Sequence, residues 1–351
     1  MTDPDRGAAE APAPLAYRPD IDGLRAVAVL AVLVYHLAPA LAPGGYVGVD
    51  VFFVISGYLI TALTLRRLAA GRFSLADFYA RRFRRLLPAL LAVVLATVAA
   101  GATLYGAADQ AALGAQAAWS SVFAANLHFY ATVDYFAAPV ETRPLLHLWS
   151  LGIEEQFYLL APLLLMGLWR RPRGLALIGG ALVLGSLVAC VVATPAAPAA
   201  AFYLLPFRAW ELGIGGALAV SGVRRRRGLA GLGLALVAVA VLGLDHRTPF
   251  PGVAALLPCL GAAAVLAGAP GPAAAALSLP VMRAVGRWSY ALYLWHWPLV
   301  AFATYLLMRP PALGEAAVLG AASLALAAAT HRWLEAPLRH AAIDTPAARR
   351  R

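Results

Sequence analysis

The sequence contains no lysine, only two cysteines and few charged residues of any kind. All 28 basic residues are arginine, and charged residues make up 13% of the 351 positions, against roughly a quarter in an ordinary soluble domain. Hydrophobic residues make up 62%, and the mean hydropathy is +0.75. A water-soluble fold, a disordered chain and a disulfide scaffold are therefore poor fits, and the composition predicts an integral membrane protein.

Other signals are also missing. Cys190 and Cys259 lie far apart in apolar runs, so no disulfide framework is predicted. No group of His, Cys and Asp residues has the spacing of metal ligands, and we expect no metal site. Residues 1–23 carry acids and prolines but lack the basic and apolar regions of a signal peptide, so they are expected to form a cytoplasmic tail.

Ten apolar runs are suitable for transmembrane helices, which need roughly 20 residues each. The sequence therefore predicts an all-α, polytopic membrane protein with about ten transmembrane helices and both termini on one side. Its membrane domain covers 24–335, and a basic tail follows at 336–351. The predicted spans are 24–41, 47–66, 86–106, 147–169, 174–194, 202–222, 228–244, 252–269, 286–308 and 313–334.

The arginines give the orientation. Most fall on the side of the N-terminus, in loops after the second, fourth and sixth spans and at the C-terminus, and only four fall on or near the other side. The first group is Arg66, Arg67, Arg72, Arg81, Arg82, Arg84, Arg85, Arg170, Arg171, Arg173, Arg224 to Arg227 and Arg349 to Arg351; the second is Arg143, Arg208, Arg247 and Arg309. The positive-inside rule predicts cytoplasmic termini and a multi-pass protein of the inner (cytoplasmic) membrane. The same rule accounts for the net charge of +11 without nucleic acid binding.

Residues 109–133 are apolar enough to form an eleventh span. Such a span would turn Arg224 to Arg227 to the outer side, against the charge pattern. We therefore predict that this segment is re-entrant or lies on the outer surface.

Several ionisable residues lie inside the apolar spans, where they are costly and commonly functional. Arg25 and His36 stand eleven positions apart in the first span, on one helix face and about 16 Å apart along the axis. His36 is a candidate general base and Arg25 a candidate anion ligand. A snorkelling arginine and a structural histidine explain the spacing equally well. Asp50, in the second span, is a candidate to orient His36 or else an interfacial acid, and Ser56 more often serves helix packing.

Two further motifs carry charge. The run DFYARRFRRLLPAL holds Arg82, Arg84 and Arg85 among aromatic residues, and such a cluster suits the phosphates of a cosubstrate as well as positive-inside topology. The run HLWSLGIEEQFY places Glu154 and Glu155 in the fourth span; a catalytic role and a structural ion pair with an arginine both fit. Its other polar and aromatic candidates are His147, Trp149, Ser150 and Tyr158. In the ninth span, SYALYLWHWPL contains His296, for which a structural role is predicted.

Taken in order, the runs DGLRAVAVLAVLVYH, GVDVFFVISGYLI, FYARRFRRLLPAL, HLWSLGIEEQFY and SYALYLWHWPL resemble those of the acyltransferase 3 family. These are integral membrane O-acyltransferases, which include O-acetylases of lipopolysaccharide and peptidoglycan. Arg25 and His36 match the family's essential pair, Arg82 with Arg84 its Arg-x-Arg motif, and Glu154 with Glu155 its fourth-span acids.

The resemblance implies transfer of an acyl group, usually acetyl from cytoplasmic acetyl-CoA or another short acyl-CoA. The acceptor would be a sugar hydroxyl in a cell-surface polysaccharide, a glycolipid or a similar molecule. Some relatives carry a C-terminal extramembrane domain. Here about 17 residues follow the last span, so we expect none, and a separate extracytoplasmic acyl-accepting partner is left open. The alternative is a proton-coupled transporter or flippase of a lipid-linked sugar or small metabolite, although no internal repeat supports it.

Overall fold

The computed structural model describes residues 17–132, 143–222 and 224–340, and throughout these ranges the regular structure is helical. The all-α prediction is confirmed. The N-terminal tail up to residue 16 and Arg349 to Arg351 lie outside the described residues. The α-helices are α1 (Pro19–Leu37), α2 (Gly48–Ala69), α3 (Leu75–Leu104), α4 (Ala107–Ser121), α5 (Ala125–Thr132), α6 (Trp149–Leu168), α7 (Pro172–Ala196), α8 (Pro198–Tyr203), α9 (Leu205–Ser221), α10 (Leu229–Gly243), α11 (Leu256–Leu266), α12 (Pro272–Leu277), α13 (Pro280–Leu307), α14 (Leu313–Thr330) and α15 (Ala336–His340).

Every predicted span overlaps one of these helices, namely α1, α2, α3, α6, α7, α9, α10, α11, α13 and α14. Five helical segments of the described chain are long and apolar enough to cross a membrane: Gly45–Ala69, Leu75–Leu104, Leu146–Leu168, Pro172–Ala196 and Leu313–Leu338. Helices α10 and α11 are apolar but shorter. Ten crossings and cytoplasmic termini therefore stay predictions.

The described part of the segment 109–133 is divided between α4 and α5. The break lies at Phe123, whose φ of 57° is incompatible with a continuous helix. The two helices have 15 and 8 residues, and each is shorter than the roughly 20 that a crossing requires. One continuous eleventh span is therefore not formed over the described residues, in agreement with the charge argument.

Local signals fix several helix starts. Proline stands at the beginning of six helices, where its fixed φ suits the first turn and its missing N–H is not needed: α1, α7, α8, α9, α12 and α13. The N-cap of α3 is Ser74, whose side chain accepts a hydrogen bond from the Asp77 amide at 3.3 Å. Two of the longest helices, α3 and α13, continue through Pro88 and Pro298.

Glycine allows α2 and α9 to approach each other closely. A methyl group added at Gly57 in α2 would collide with the carbonyl oxygen of Leu212, and one at Gly215 in α9 would collide with that of Val54. Small residues at such crossings bring two backbones together in a membrane, where packing rather than water exclusion drives helix association. Helix α2 is central: 61% of its most apolar window is buried, compared with 17% in α7.

The helix ends are joined at two opposite ends of the bundle. At one end, Arg18 donates to the carbonyl of Leu266 at 2.8 Å, just after the chain enters α1. At the other end, the Gly44 amide donates to the Val241 carbonyl at 2.9 Å, and the Tyr46 hydroxyl donates to the Asp245 carbonyl at 3.1 Å. Helix α1 runs from the first of these ends to the second. Arg25 lies nearer the end that contains Arg18, and His36 lies in the last turn, at the end that contains Tyr46.

Candidate active site

His36 in α1 contacts His296 in α13. The Nδ1 atom of His36 lies 3.2 Å from Nε2 of His296, although the two residues are 260 positions apart. The Nδ1 atom of His296 lies 2.7 Å from the Tyr293 carbonyl oxygen, which only accepts, so that nitrogen carries the hydrogen. With both rings neutral, Nε2 of His296 accepts from Nδ1 of His36. The remaining nitrogen of His36, Nε2, then has a lone pair with which to take a proton.

A third histidine, His147, lies beside this pair. Its ring centroid is 5.4 Å from that of His296, and the side chain is buried, with neither ring nitrogen hydrogen-bonded to any described residue. Its backbone carbonyl accepts from the Tyr293 hydroxyl at 2.7 Å and from the Ser150 hydroxyl at 3.2 Å. Residues of α1, α13 and the entry to α6 therefore form one polar cluster, which we call the histidine cluster: His36, His147, Ser150, Tyr293 and His296.

The carboxylates of Glu154 and Glu155 both bind Arg82. The Nη2 atom of Arg82 lies 2.6 Å from Oε1 of Glu155 and 3.4 Å from Oε1 of Glu154. Glu154 also accepts from the hydroxyls of Ser56 and Tyr158, each at 2.6 Å, and the guanidinium of Arg82 lies 3.4 Å from the centre of the Tyr158 ring. The two acids therefore position Arg82 in this structure, and among the described residues neither is hydrogen-bonded to His36.

A cavity of about 130 Å³ is lined by residues of the histidine cluster and by Arg82 with its partner Glu154. Its walls come from α1, α2, α3, α6 and α13, so it lies among the helices that carry the motifs. Its charged lining residues are Arg25, Arg82, Arg85 and Glu154, and its polar ones include Ser56, Ser150, Tyr158 and Tyr293. Because Ser150 and Tyr293 also belong to the histidine cluster, the cavity extends from the arginines to the edge of that cluster.

Arg84 is placed differently from its neighbours. Arg25, Arg82 and Arg85 line the cavity, whereas Arg84 is not among its lining residues, and its Nε atom is buried. Of the Arg-x-Arg pair in the sequence, the structure therefore brings Arg82 to the cavity, accompanied by Arg85.

Asp50 does not orient His36. It is fully buried, and its Oδ1 lies 3.2 Å from Nη2 of Arg208 in α9, whose Nη1 lies 2.9 Å from Oε1 of Glu211. Asp50, Arg208 and Glu211 form what we call the buried ion cluster. The sequence analysis offered Asp50 as the residue that orients His36. In the structure His296 contacts His36 instead, although only a structural role was expected for His296.

The buried ion cluster also accounts for two other residues of the sequence analysis. Arg208, counted among the arginines on or near the side opposite the termini, is 1% exposed and is enclosed by the protein. Trp149, a candidate from the fourth-span motif, packs over the Arg208 guanidinium, 5.6 Å from the ring centre. The available signal was an arginine and a glutamate three positions apart within an apolar run, the usual spacing of a helical pair.

The buried ion cluster lies beside Cys259, so that three potential metal ligands from distant parts of the sequence come together. One ligand atom each of Asp50, Glu211 and Cys259 lies within 4.8 Å of the others. The guanidinium of Arg208 contacts both carboxylates, so an arginine already supplies positive charge there. The ligand set does not fit a metal ion well for that reason, because a second cation would meet the first at close range.

Comparison with known proteins agrees with this arrangement of motifs. Residues 18–332 match the acyltransferase domain of the acyltransferase 3 family. The chain is 33% identical to the peptidoglycan O-acetyltransferase OatA of Listeria monocytogenes over 349 residues, which cover 92% of this chain and 56% of the relative. It is also 33% identical to the putative peptidoglycan O-acetyltransferase YrhL of Bacillus subtilis, covering 82% and 49%.

A third relative is closer in length. The putative membrane-bound transacylase BcsY of Komagataeibacter xylinus is 33% identical over 298 residues, covering 83% of this chain and 75% of that protein. The chain thus spans about half the length of the two O-acetyltransferases named above. No solved structure matches it. The domain match and these relatives establish that the chain belongs to the acyltransferase 3 family.

Proposed function

We propose that the protein is a membrane O-acyltransferase that moves a short acyl group, acetyl in the first instance, from acyl-CoA to a sugar hydroxyl. The observation that carries the proposal is a cavity that is lined by arginines and extends to Ser150 and Tyr293, at the edge of the histidine cluster. Family membership and relatives named as O-acetyltransferases support the reaction class. The transporter alternative is not favoured, because the family match covers residues 18–332.

The arginines at the cavity are suited to the phosphates of acyl-CoA. Guanidinium groups match phosphate oxygens through paired N–H donors, and Arg25, Arg82 and Arg85 line one cavity. The carboxylates of Glu154 and Glu155 hold Arg82 in a defined position. In our proposal Arg84, beside them, adds positive charge without lining the cavity. The acyl thioester would then lie toward Ser150 and Tyr293, beside the histidines.

His36 acts as the general base in this proposal. Its Nε2 takes the proton from the acceptor hydroxyl while the oxygen forms the new C–O bond and the C–S bond of the thioester breaks. The proton then passes to the departing sulfur, so that an ester and a free thiol result. His296 stabilises the protonated ring of His36 by accepting from Nδ1, the role that a carboxylate plays in other catalytic pairs.

The relatives direct the choice of acceptor. Two of them are named for peptidoglycan, and a glycan of the cell envelope is therefore the acceptor class that we propose. We further propose that the donor is used on the cytoplasmic side of the inner membrane, where the positive-inside rule predicts both termini. A separate extracytoplasmic partner that receives the acyl group is compatible with this scheme.

The test is acyl transfer from radiolabelled acetyl-CoA in inside-out membrane vesicles. We expect label in membrane glycans or lipids with the wild type and a loss of about 10²–10⁴-fold with His36→Ala, the usual contribution of a general base. His246→Ala is the matched control, since His246 is exposed and distant in the sequence from every motif. Equal labelling by wild type and His36→Ala would refute the mechanism, and no labelling with any short acyl-CoA would refute the donor.

A further inference from the structure

A second cavity, of about 310 Å³, lies at the end of the bundle where the chain enters α1 and leaves α2. Three arginines from separate segments line it: Arg18, Arg66 and Arg225. Tyr58 is its other large polar lining residue, and Leu65 and Leu218 are among its apolar ones. The proposed acyl transfer makes no use of it.

Helix α2 separates the two cavities. Tyr58, Ala62 and Arg66 follow one another at four-residue spacing along one face and line the second cavity. Ser56 and Ile60, two positions out of step with them, line the first. Because two residues turn a helix by about 200°, Tyr58 and Ala62 point away from Ser56 and Ile60. The second cavity is therefore a distinct place on the molecule.

Two of the three arginines are anchored. Arg18 binds Asp20 (Nη2 to Oδ2, 2.6 Å) and the Leu266 carbonyl (2.8 Å). Arg225 binds the same carboxylate oxygen at 3.2 Å and the Gly268 carbonyl at 2.6 Å. These contacts hold both guanidinium groups at the cavity wall before any ligand arrives. Such preorganisation lowers the cost of binding an anion.

Arg66 is the third, and its guanidinium group makes no hydrogen bond or ion pair with the residues that the structure describes. Arg18 and Arg225 share a single carboxylate, that of Asp20, and Arg66 is paired with none among the described residues. Three positive charges and one negative charge therefore surround this cavity. Positive-inside topology explains why arginines lie at this end of the bundle. It does not explain why Arg18 and Arg225 are held in place at the wall of a cavity that Arg66 also lines.

We propose that this second cavity binds a phosphate group. Arginine is the side chain best suited to phosphate because its planar donors pair with two oxygens at once. Basic pockets between transmembrane helices bind the head groups of anionic phospholipids, and the wall around Leu65 and Leu218 would suit the apolar part of such a molecule. A soluble phosphate shares the charged part of this chemistry.

The test uses the purified full chain in a neutral detergent with two probes. One arm measures retention of phosphatidylglycerol against phosphatidylcholine by native mass spectrometry, and the other measures binding of inorganic pyrophosphate by calorimetry. Arg66→Gln is expected to weaken binding of the recognised probe about fivefold. Loss in the first arm alone identifies a lipid head group, and loss in the second alone identifies a soluble phosphate.

Arg67→Gln is the matched control. Arg67 stands on the same helix end, carries the same charge and does not line the second cavity, so its loss should leave binding unchanged. Arg225→Gln is a second variant and is expected to weaken binding at least as much as Arg66→Gln. Failure of the wild type to bind either probe would overturn the proposal. Equal effects of Arg66→Gln and Arg67→Gln in proteins of unchanged melting temperature would do so as well.

Discussion

At the scale of the residue, the contact between His36 and His296 determines which nitrogen of His36 is available. The Tyr293 carbonyl fixes the hydrogen on Nδ1 of His296, and this in turn turns the lone pair of its Nε2 toward His36. A neutral imidazole takes the place where a carboxylate would be expected. The pair therefore depends on its geometry rather than on an ion pair to present Nε2 of His36.

We predict that His296→Ala lowers kcat for acetyl transfer on the order of tenfold, less than loss of the base itself. The physical reason is that Nδ1 of His36 loses its acceptor, so the ring loses both its orientation and its preferred tautomer. The KM for acetyl-CoA should change little, since His296 does not line the arginine-rich cavity. Steady-state kinetics in detergent would separate the two parameters.

His296→Gln tests whether that effect arises from the hydrogen bond. The glutamine side chain offers an acceptor oxygen, and a partial recovery of kcat over the alanine variant is expected. If both variants raised KM and left kcat unchanged, His296 would not position His36 for the reaction.

At the scale of the element, α2 packs closely against α9. This contact combines glycines that bring the backbones together with the buried ion cluster that joins Asp50 to Arg208. Helix α2 also forms a wall of both cavities. A shift of α2 against α9 would therefore change the shape of both cavities.

We predict that Gly57→Ala destabilises the protein by about 1–3 kcal/mol, the usual cost of overpacking a tight interior. The added methyl group would meet the Leu212 carbonyl, which cannot move without shifting α9. The measurement is the thermal unfolding of the purified protein in one detergent.

Gly180→Ala provides the comparison. Gly180 lies in α7 with nothing within 4 Å of an added methyl group, so the substitution should be neutral or stabilising by up to about 1 kcal/mol, because alanine is the better helix former. Equal melting temperatures for the two variants would contradict the close packing of α2 against α9.

The positions of the helices along the chain were largely predictable from the sequence. The side-chain contacts between different helices were not. Apolar runs of about 20 residues mark helices because lipid forces the backbone to satisfy its own hydrogen bonds, and every predicted span coincides with a helix. Spacing along one helix also put Arg25 and His36 on one face. It carries no information about partners far along the chain, such as His296 for His36 or Arg208 for Asp50.

At the scale of the whole molecule, the positive-inside rule predicts from the arginines the direction in which the bundle crosses the membrane. The second cavity and its three arginines lie at the end that this rule assigns to the cytoplasm. The loop around Asp245, which binds Tyr46, belongs to the opposite end.

We predict that cysteines introduced at Arg171 and His246 are labelled from opposite sides by a membrane-impermeant maleimide. His246→Cys should react in intact cells and Arg171→Cys only in inside-out vesicles. Both positions are exposed, and background should be low because Cys190 and Cys259 are buried. Labelling of both from one side would mean that the number of crossings between them is even, contrary to the ten-span topology.

The buried ion cluster also has a consequence for biosynthesis. A charged arginine on an isolated helix is costly in the bilayer, and Arg208, in the first turn of α9, is fully enclosed in the finished protein. Its counter-charges are Glu211, in α9 itself, and Asp50, in the earlier α2. The contact with Asp50 forms only when α9 packs against α2, which is synthesised first, so the order of synthesis allows Asp50 to be in place when α9 enters the membrane.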